Sequence, residues 1–315
     1  MKIPKTNQRT TATNKKQKAL LTGAFFKRKM TEKTIHEKNE KLLCALSLFI
    51  NNCPDGITEE MVYSLCKDCD FSVEQSYRVL LAGALDLYDD RKMMQDYLQN
   101  TVKLLSCESY LNDPYYQNIH LDFKACGEWT VETKHYKPFE LFVYNDLKKL
   151  ADGRIIPQVG FFDREYSFPC ILQNNREWMM ITPNEIETMK TPIKNAKGRV
   201  LTYGLGLGYF AYMASLKKEV ESVTVVERDK NVTELFKKYI LPQFEQKNKI
   251  TLVEFDALFF AAEQKNKKES DFDFVFADIW HDPSDGCDIY LLLKSLERPD
   301  CTYSYWIEDT IKCYL

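Results

Sequence analysis

No apolar run in these 315 residues approaches the roughly 18 that a membrane-spanning helix needs, and the mean hydropathy is -0.41, so no membrane partner is expected. The nearest run, Ala19 to Phe26, is short and lies between Lys15, Lys16 and Lys18 on one side and Lys27, Arg28 and Lys29 on the other. It lacks a small-residue cleavage site, which argues against a secretory signal. Acidic residues are missing from residues 1–30, which hold nine Lys and Arg. Such a polar block of one sign is expected to be a basic, disordered tail. The chain as a whole is at -3, so residues 31–315 carry -12, a poor match for phosphates. Nucleic acid is therefore not an expected partner. The ten cysteines are spread out, and the one tight pair, Cys66 and Cys69, has neither a second CxxC nor a histidine pair at zinc spacing. No metal site is expected, and the cysteines read as reduced, in a cytoplasmic protein.

With 44% apolar and 28% charged residues, the chain has material for two compact domains. Residues 31–112 read as a helical domain, with Leu42, Leu43, Leu46, Phe49 and Ile50 at helical spacing. Thr58 and Ser72, each followed by acids, are helix N-caps. These two helices resemble a DNA-reading pair only in length, since the second offers Arg78 alone as a base before Asp86, Asp89 and Asp90. Residues 113–193 are β-rich, with strands over Phe139–Tyr144, Gln158–Phe162, Tyr166–Gln173 and Glu177–Ile181. Asn174 and Asn175 fit a two-residue hairpin turn, because asparagine tolerates positive φ. Pro183 and Pro192 bracket a short helix at Asn184–Met189, and Lys194–Gly198 reads as a linker.

From residue 194 to 315 the pattern alternates strand and helix: strands at Arg199–Tyr203, Ser222–Val226, Lys249–Phe255 and Phe272–Ala277, with helices at Tyr209–Lys217 and Val232–Leu241. Nearly continuous apolar strands separated by helices imply a parallel sheet covered on both faces. The fold expected is α/β: a Rossmann-like, mostly parallel sheet preceded by a helical bundle and a small β-rich domain. Only nineteen residues follow the helix Ile289–Leu296, enough for one more strand at Thr302–Trp306. The sheet is therefore shortened at its C-terminal end. Its exposed edge calls for cover, by the N-terminal part or by a second copy in a homodimer.

Gly204, Gly206 and Gly208 form a glycine-rich turn directly after the first of these strands, where backbone approaches a ligand closely. Acids close the next three strands: Glu227, Asp256 and Asp278. In an open α/β sheet all carboxyl ends of the strands face one crevice, so turn and acids should converge on one site. The spacing G-x-G-x-G departs from the dinucleotide pattern G-x-G-x-x-G, since position 209 is Tyr. Too little chain follows for a second nucleotide-binding half.

This constellation resembles the class I S-adenosylmethionine (SAM)-dependent methyltransferases, and the run Phe272–Asp278 with Asp282-Pro283 is most similar to their spermidine-synthase-like branch. The resemblance covers roughly residues 138–295 and implies SAM as cofactor. It implies that Gly204, Gly206 and Gly208 bend around the methionine portion and that Glu227 binds the ribose hydroxyls. It further implies that Asp256 and the amide of Ala257 meet the adenine edge, and that Asp278 stands by the sulfonium. Two departures matter. Position 207 is Leu where aminopropyltransferases of that branch carry an acid, which disfavours aminopropyl transfer. The family's Tyr-His-Glu cluster is replaced by a stretch that offers Glu185 and Glu187. His281 is the candidate general base beside Asp278, because imidazole titrates near neutrality. Trp280, Asp282 and Glu185 are candidate substrate contacts. The acidic body and the acids near that mouth point to a small neutral or cationic acceptor. Aminopropyl transfer and a non-catalytic SAM-binding or scaffold role are the alternatives.

Overall fold

The structure is a computed structural model that describes residues 31–121, 125–126 and 128–315. The expected basic tail lies outside the described residues. α1 (Glu32–Asn52) starts at Thr31, whose side chain accepts the Thr34 N–H, and buries Ile35, Leu42, Leu46 and Phe49 along one stripe. α2 (Glu59–Cys69) and α3 (Val73–Ala84) are capped by Thr58 and Ser72 as expected, the latter in a reciprocal capping box with Gln75. A helical stretch through Met93–Leu98 and Gln99–Thr101 runs into β1 (Val102–Leu104). Two short helices follow, α4 (Cys107–Leu111) and α5 (Pro114–Asn118).

The β-rich part contains β2 (Ala125–Cys126), β3 (Trp129–Tyr136), β4 (Phe142–Lys149), β5 (Ile155–Phe161), β6 (Tyr166–Gln173) and β7 (Arg176–Met180). They form two sheets, β1-β5-β4 and β2-β3-β6-β7. Asn174 and Asn175 make the β6–β7 turn at φ 50° and 62°, the left-handed pair that suits the twist of a hairpin. The helical segment does not close on itself. Its Leu42, Tyr77, Leu81 and Tyr97 share one core with Ile156, Val159 and Phe161 of β5. Phe142 and Tyr144 of β4 belong instead to a second, larger core that continues into the C-terminal sheet. The β1-β5-β4 sheet thus separates two interiors and belongs to both.

α6 (Pro183–Asn195) corrects the expected short helix and linker, because it runs through Pro192. Pro183 sits at the first helical position, where no N–H is needed. Pro192 falls in the last turns, where it interrupts a single bond. The frayed end is then fastened from outside: Lys217 Nζ donates to the carbonyls of Ile193, Lys194 and Ala196 at 2.6–2.7 Å.

The remaining elements are β8 (Gly198–Tyr203), α7 (Tyr209–Ser215), β9 (Val220–Glu227), α8 (Lys230–Leu235), β10 (Ile250–Glu254), α9 (Ala257–Lys265), β11 (Phe274–Ala277), α10 (Pro283–Ser295), β12 (Thr302–Tyr305) and α11 (Glu308–Tyr314). The expected helix 232–241 is present, with Phe236–Ile240 wound as a π-turn. The sheet has the order β10-β9-β8-β11-β12, with every pair parallel. The order reverses between β8 and β11, and in such sheets the crevice beyond the carboxyl ends at the reversal is where ligands bind. As expected, the sheet is short, ending at β12. The N-terminal half reaches over to this side. α11 has no side-chain cap of its own, since the N-cap residue Ile307 has no acceptor atom in its side chain, and Asp146 of β4 supplies one by accepting the N–H groups of Asp309 and Thr310, each at 3.0 Å. Among the described residues no helix is long and apolar enough to cross a membrane.

Candidate active site

A cavity of about 600 Å³ opens at the carboxyl ends of β8, β9 and β11. That is within the range of about 300–1,000 Å³ common to small-molecule sites. The structure brings to it Gly204 and Gly206 from the first turn, Glu227 after β9, Asp256 and Ala257 at the start of α9, and Asp278, Trp280 and His281 after β11. Glu185 of α6 also lines it. Two of the residues singled out from the sequence are not in its lining, Gly208 and Asp282.

The turn is held by backbone and by Glu227. Gly204 donates its N–H to the Val226 carbonyl at 3.0 Å and has φ 91°, and any side-chain carbon there would overlap the Asp278 carbonyl. The turn after β8 therefore lies directly against the end of β11. Gly206, at φ 54°, is as tightly covered by the Met179 side chain of β7. Glu227 accepts the Leu205 N–H at 3.2 Å with Oε2 and the Asp229 N–H at 2.8 Å with Oε1. Asp256 caps α9: its Oδ1 accepts from the N–H groups of Leu258 and Phe259 at 2.9 and 3.1 Å. Its Oδ2 takes no part in that cap.

Glu185 and Asp278 behave differently. Burial pushes both carboxyls well above the usual carboxylate range; in Glu185 the charge of Asp278 pushes further, and in Asp278 the nearby His281 pulls partly back. Two partly buried carboxyls lining one cavity disfavour each other's ionisation, so both are driven toward the protonated form. Glu185 is fixed there by the first turn of α6, where its N–H donates to the Thr182 hydroxyl.

His281 stands at the rim, with 83% of its side chain exposed and Nδ1 3.1 Å from Asp285 Oδ2. Trp280 lies in the wall, 4% exposed, packed over Gly286 and stacked on Tyr305, with no hydrogen-bond partner for its Nε1 among the described residues. Asp282, outside the lining, caps α10. It accepts the Ser284 N–H at 2.6 Å and shares a capping box with Asp285, and hydrogen bonds from the Ser284 side chain and N–H hold its carboxyl below the usual range. Gly208, also outside the lining, caps α7 at φ 77°, and a side chain there would overlap the Phe236 ring.

The sequence reading missed the roof. Trp178, Met179 and Met180 of β7 line the cavity, as does Trp306, whose Nε1 donates to Thr188 Oγ1 of α6 at 3.0 Å. The signal available for β7 was an amphipathic strand ending in two methionines just before an acid-bearing helix. Trp306 gave none, since it reaches the site only through the packing of α11.

Residues 170–286 match the model of a family described as O-methyltransferase. The match starts in β6 and ends in α10, enclosing every acid of the cavity. It bears out the expected resemblance to class I methyltransferases. Among solved structures, the chain is similar to a spermidine synthase from Thermotoga maritima at 17% identity, with a TM-score of 0.33. That likeness covers 44% of this chain and 49% of the other, so the chain spans about half the length of the structure it matches; a likeness of this degree carries no functional weight. No curated protein matches the chain.

Proposed function

We propose that the protein is a SAM-dependent methyltransferase for a small cationic or neutral acceptor. The observation that carries this reading is convergence: Gly204, Glu227, Asp256 and Asp278 are far apart in the chain, yet line one cavity at the sheet's reversal point. The residues fit an adenosyl thioether. Gly204 and Gly206 let the turn take left-handed backbone angles against Asp278 and Met179 and put its backbone in the cavity lining, and the carboxylate of Glu227 is placed for a ribose diol. Asp256 Oδ2, with the Ala257 amide, suits the amino edge of adenine. When bound, SAM supplies an activated sulfonium methyl group.

The chain's own part is then to bind, orient and exclude water. The roof of Trp178, Met179 and Met180 excludes solvent. Glu185 and Asp278 line the same cavity, and either of them, when ionised, can take the proton an acceptor nitrogen or oxygen releases. His281, exposed at the rim, is the alternative base. A cationic acceptor is favoured by the lining, where seven carboxylate side chains face Arg228 and His281.

That same acidity favours a second reading, aminopropyl transfer from decarboxylated SAM, which carries one negative charge less; Leu207 in place of an acid speaks against it. Titration calorimetry with SAM, S-adenosylhomocysteine and the decarboxylated nucleoside separates the readings. Binding of the first two is the expected result, and no heat from either at concentrations far above micromolar sinks the proposal. Preference for the decarboxylated nucleoside selects the second reading. Binding without turnover across a screen of metabolite acceptors leaves a non-catalytic binding protein.

A further inference from the structure

The glycine turn is clamped from behind by a segment of the N-terminal half that lies outside the O-methyltransferase match. Tyr115 of α5, 2% exposed, donates its Oη proton to the Leu207 carbonyl at 2.6 Å. Two residues before it, the buried Asp113 accepts the Tyr209 hydroxyl with Oδ2 at 2.9 Å and the Tyr115 N–H with Oδ1, also at 2.9 Å. The Tyr115 ring lies 5.5 Å from that of Tyr209 and 5.6 Å from that of Tyr212. One three-residue anchor, Asp113 to Tyr115, thus grips the last part of the turn and the start of α7, while Gly204, Leu205 and Gly206 line the cavity. A turn with glycines at φ 54° and 77° has many conformations open to it in isolation, and only external bonds select one.

We propose that Tyr115, supported by Asp113, is a positioning residue that sets the conformation of the glycine turn for donor binding. This rests on the reading of the cavity as a SAM site, and the role is exerted through the Leu207 carbonyl, since Tyr115 is absent from the cavity lining. The donor site is then completed by the N-terminal half of the chain and not by the Rossmann-like half alone.

Tyr115→Phe removes the hydroxyl and keeps the ring. The expected result is an S-adenosylhomocysteine dissociation constant raised about tenfold, as for an unpaired buried carbonyl, together with faster amide hydrogen exchange across residues 204–208. Tyr110→Phe, which removes a hydroxyl bonded to Glu187 in the same core, is expected to leave both at the parent values. Unchanged affinity and unchanged exchange in Tyr115→Phe overturn the proposal. Exchange that rises equally through β8 and β9 also overturns it, because general loosening is all that a merely structural role predicts. If Tyr115→Phe does not fold, Tyr209→Phe breaks the other half of the clamp, and parent-like exchange there is equally decisive. A parent protein that binds no S-adenosylhomocysteine defeats the functional reading, while the exchange comparison still decides the clamp.

Discussion

At one end of the cavity, Glu227 and Asp256 commit oxygens to backbone N–H groups: Leu205 and Asp229 for the first, Leu258 and Phe259 for the second. Elsewhere in the same lining, Glu185 and Asp278 are both driven toward the protonated form, by burial and, in Glu185, by the charge of Asp278. The same functional group thus serves two purposes. Carboxylates fixed by main-chain donors are rigid acceptors suited to recognising a neutral polyol or amine edge. A carboxyl driven toward its protonated form is suited to exchanging a proton.

The comparison breaks most completely at Gly204, where the two ends touch. Gly204→Ala places a side-chain carbon against the Asp278 carbonyl at a φ that only glycine adopts freely, and is expected to cost about 3 kcal/mol or more of stability and to abolish donor binding, checked by urea denaturation and calorimetry. Next, Asp278→Asn is expected to lower turnover about a hundredfold with a smaller effect on donor affinity, and equal losses in both would mean that the two ends do not differ in role. Asp256→Ala and Glu227→Ala are expected to weaken donor binding by about 1–3 kcal/mol each, measured by titration calorimetry.

A pH series sharpens the contrast. Both acids of the pair hold protons in the folded protein that the unfolded chain has already lost between the ordinary carboxylate range and neutrality. Their contribution is therefore complete at low pH, and it declines as pH rises through that window. Glu185→Gln should flatten that decline in a urea-denaturation series, and an unaltered slope would dissolve the pair as a unit. Smallest of all, His281→Ala should change turnover less than about twofold, since its side chain stands 83% exposed at the rim. A large loss would return the base to the rim.

How much of this was legible beforehand follows the range of the interactions. The C-terminal strands and the glycine turn could be read to within a few residues because continuous apolar runs and glycine spacing are local signals. Asp282 followed by Pro283, with Asp285 three positions on, was also a local signal, for a helix cap. Pro192 misled because the bonds that carry α6 past it come from Lys217, a residue in another element. The sharing of β5 between helices and strands, and the arrival of Trp306 beside Thr188, depend on contacts more than a hundred residues apart or on whole-element packing. No periodicity encodes either.

The wall formed by β1-β5-β4 has a practical corollary for anyone trimming the protein. Cutting away the leading helices would strip Phe139, Leu141, Ile156, Val159 and Phe161 of their cover and present a broad greasy face to water. The C-terminal half prepared alone should aggregate, and the intact chain should melt in one cooperative step, as a single indivisible body.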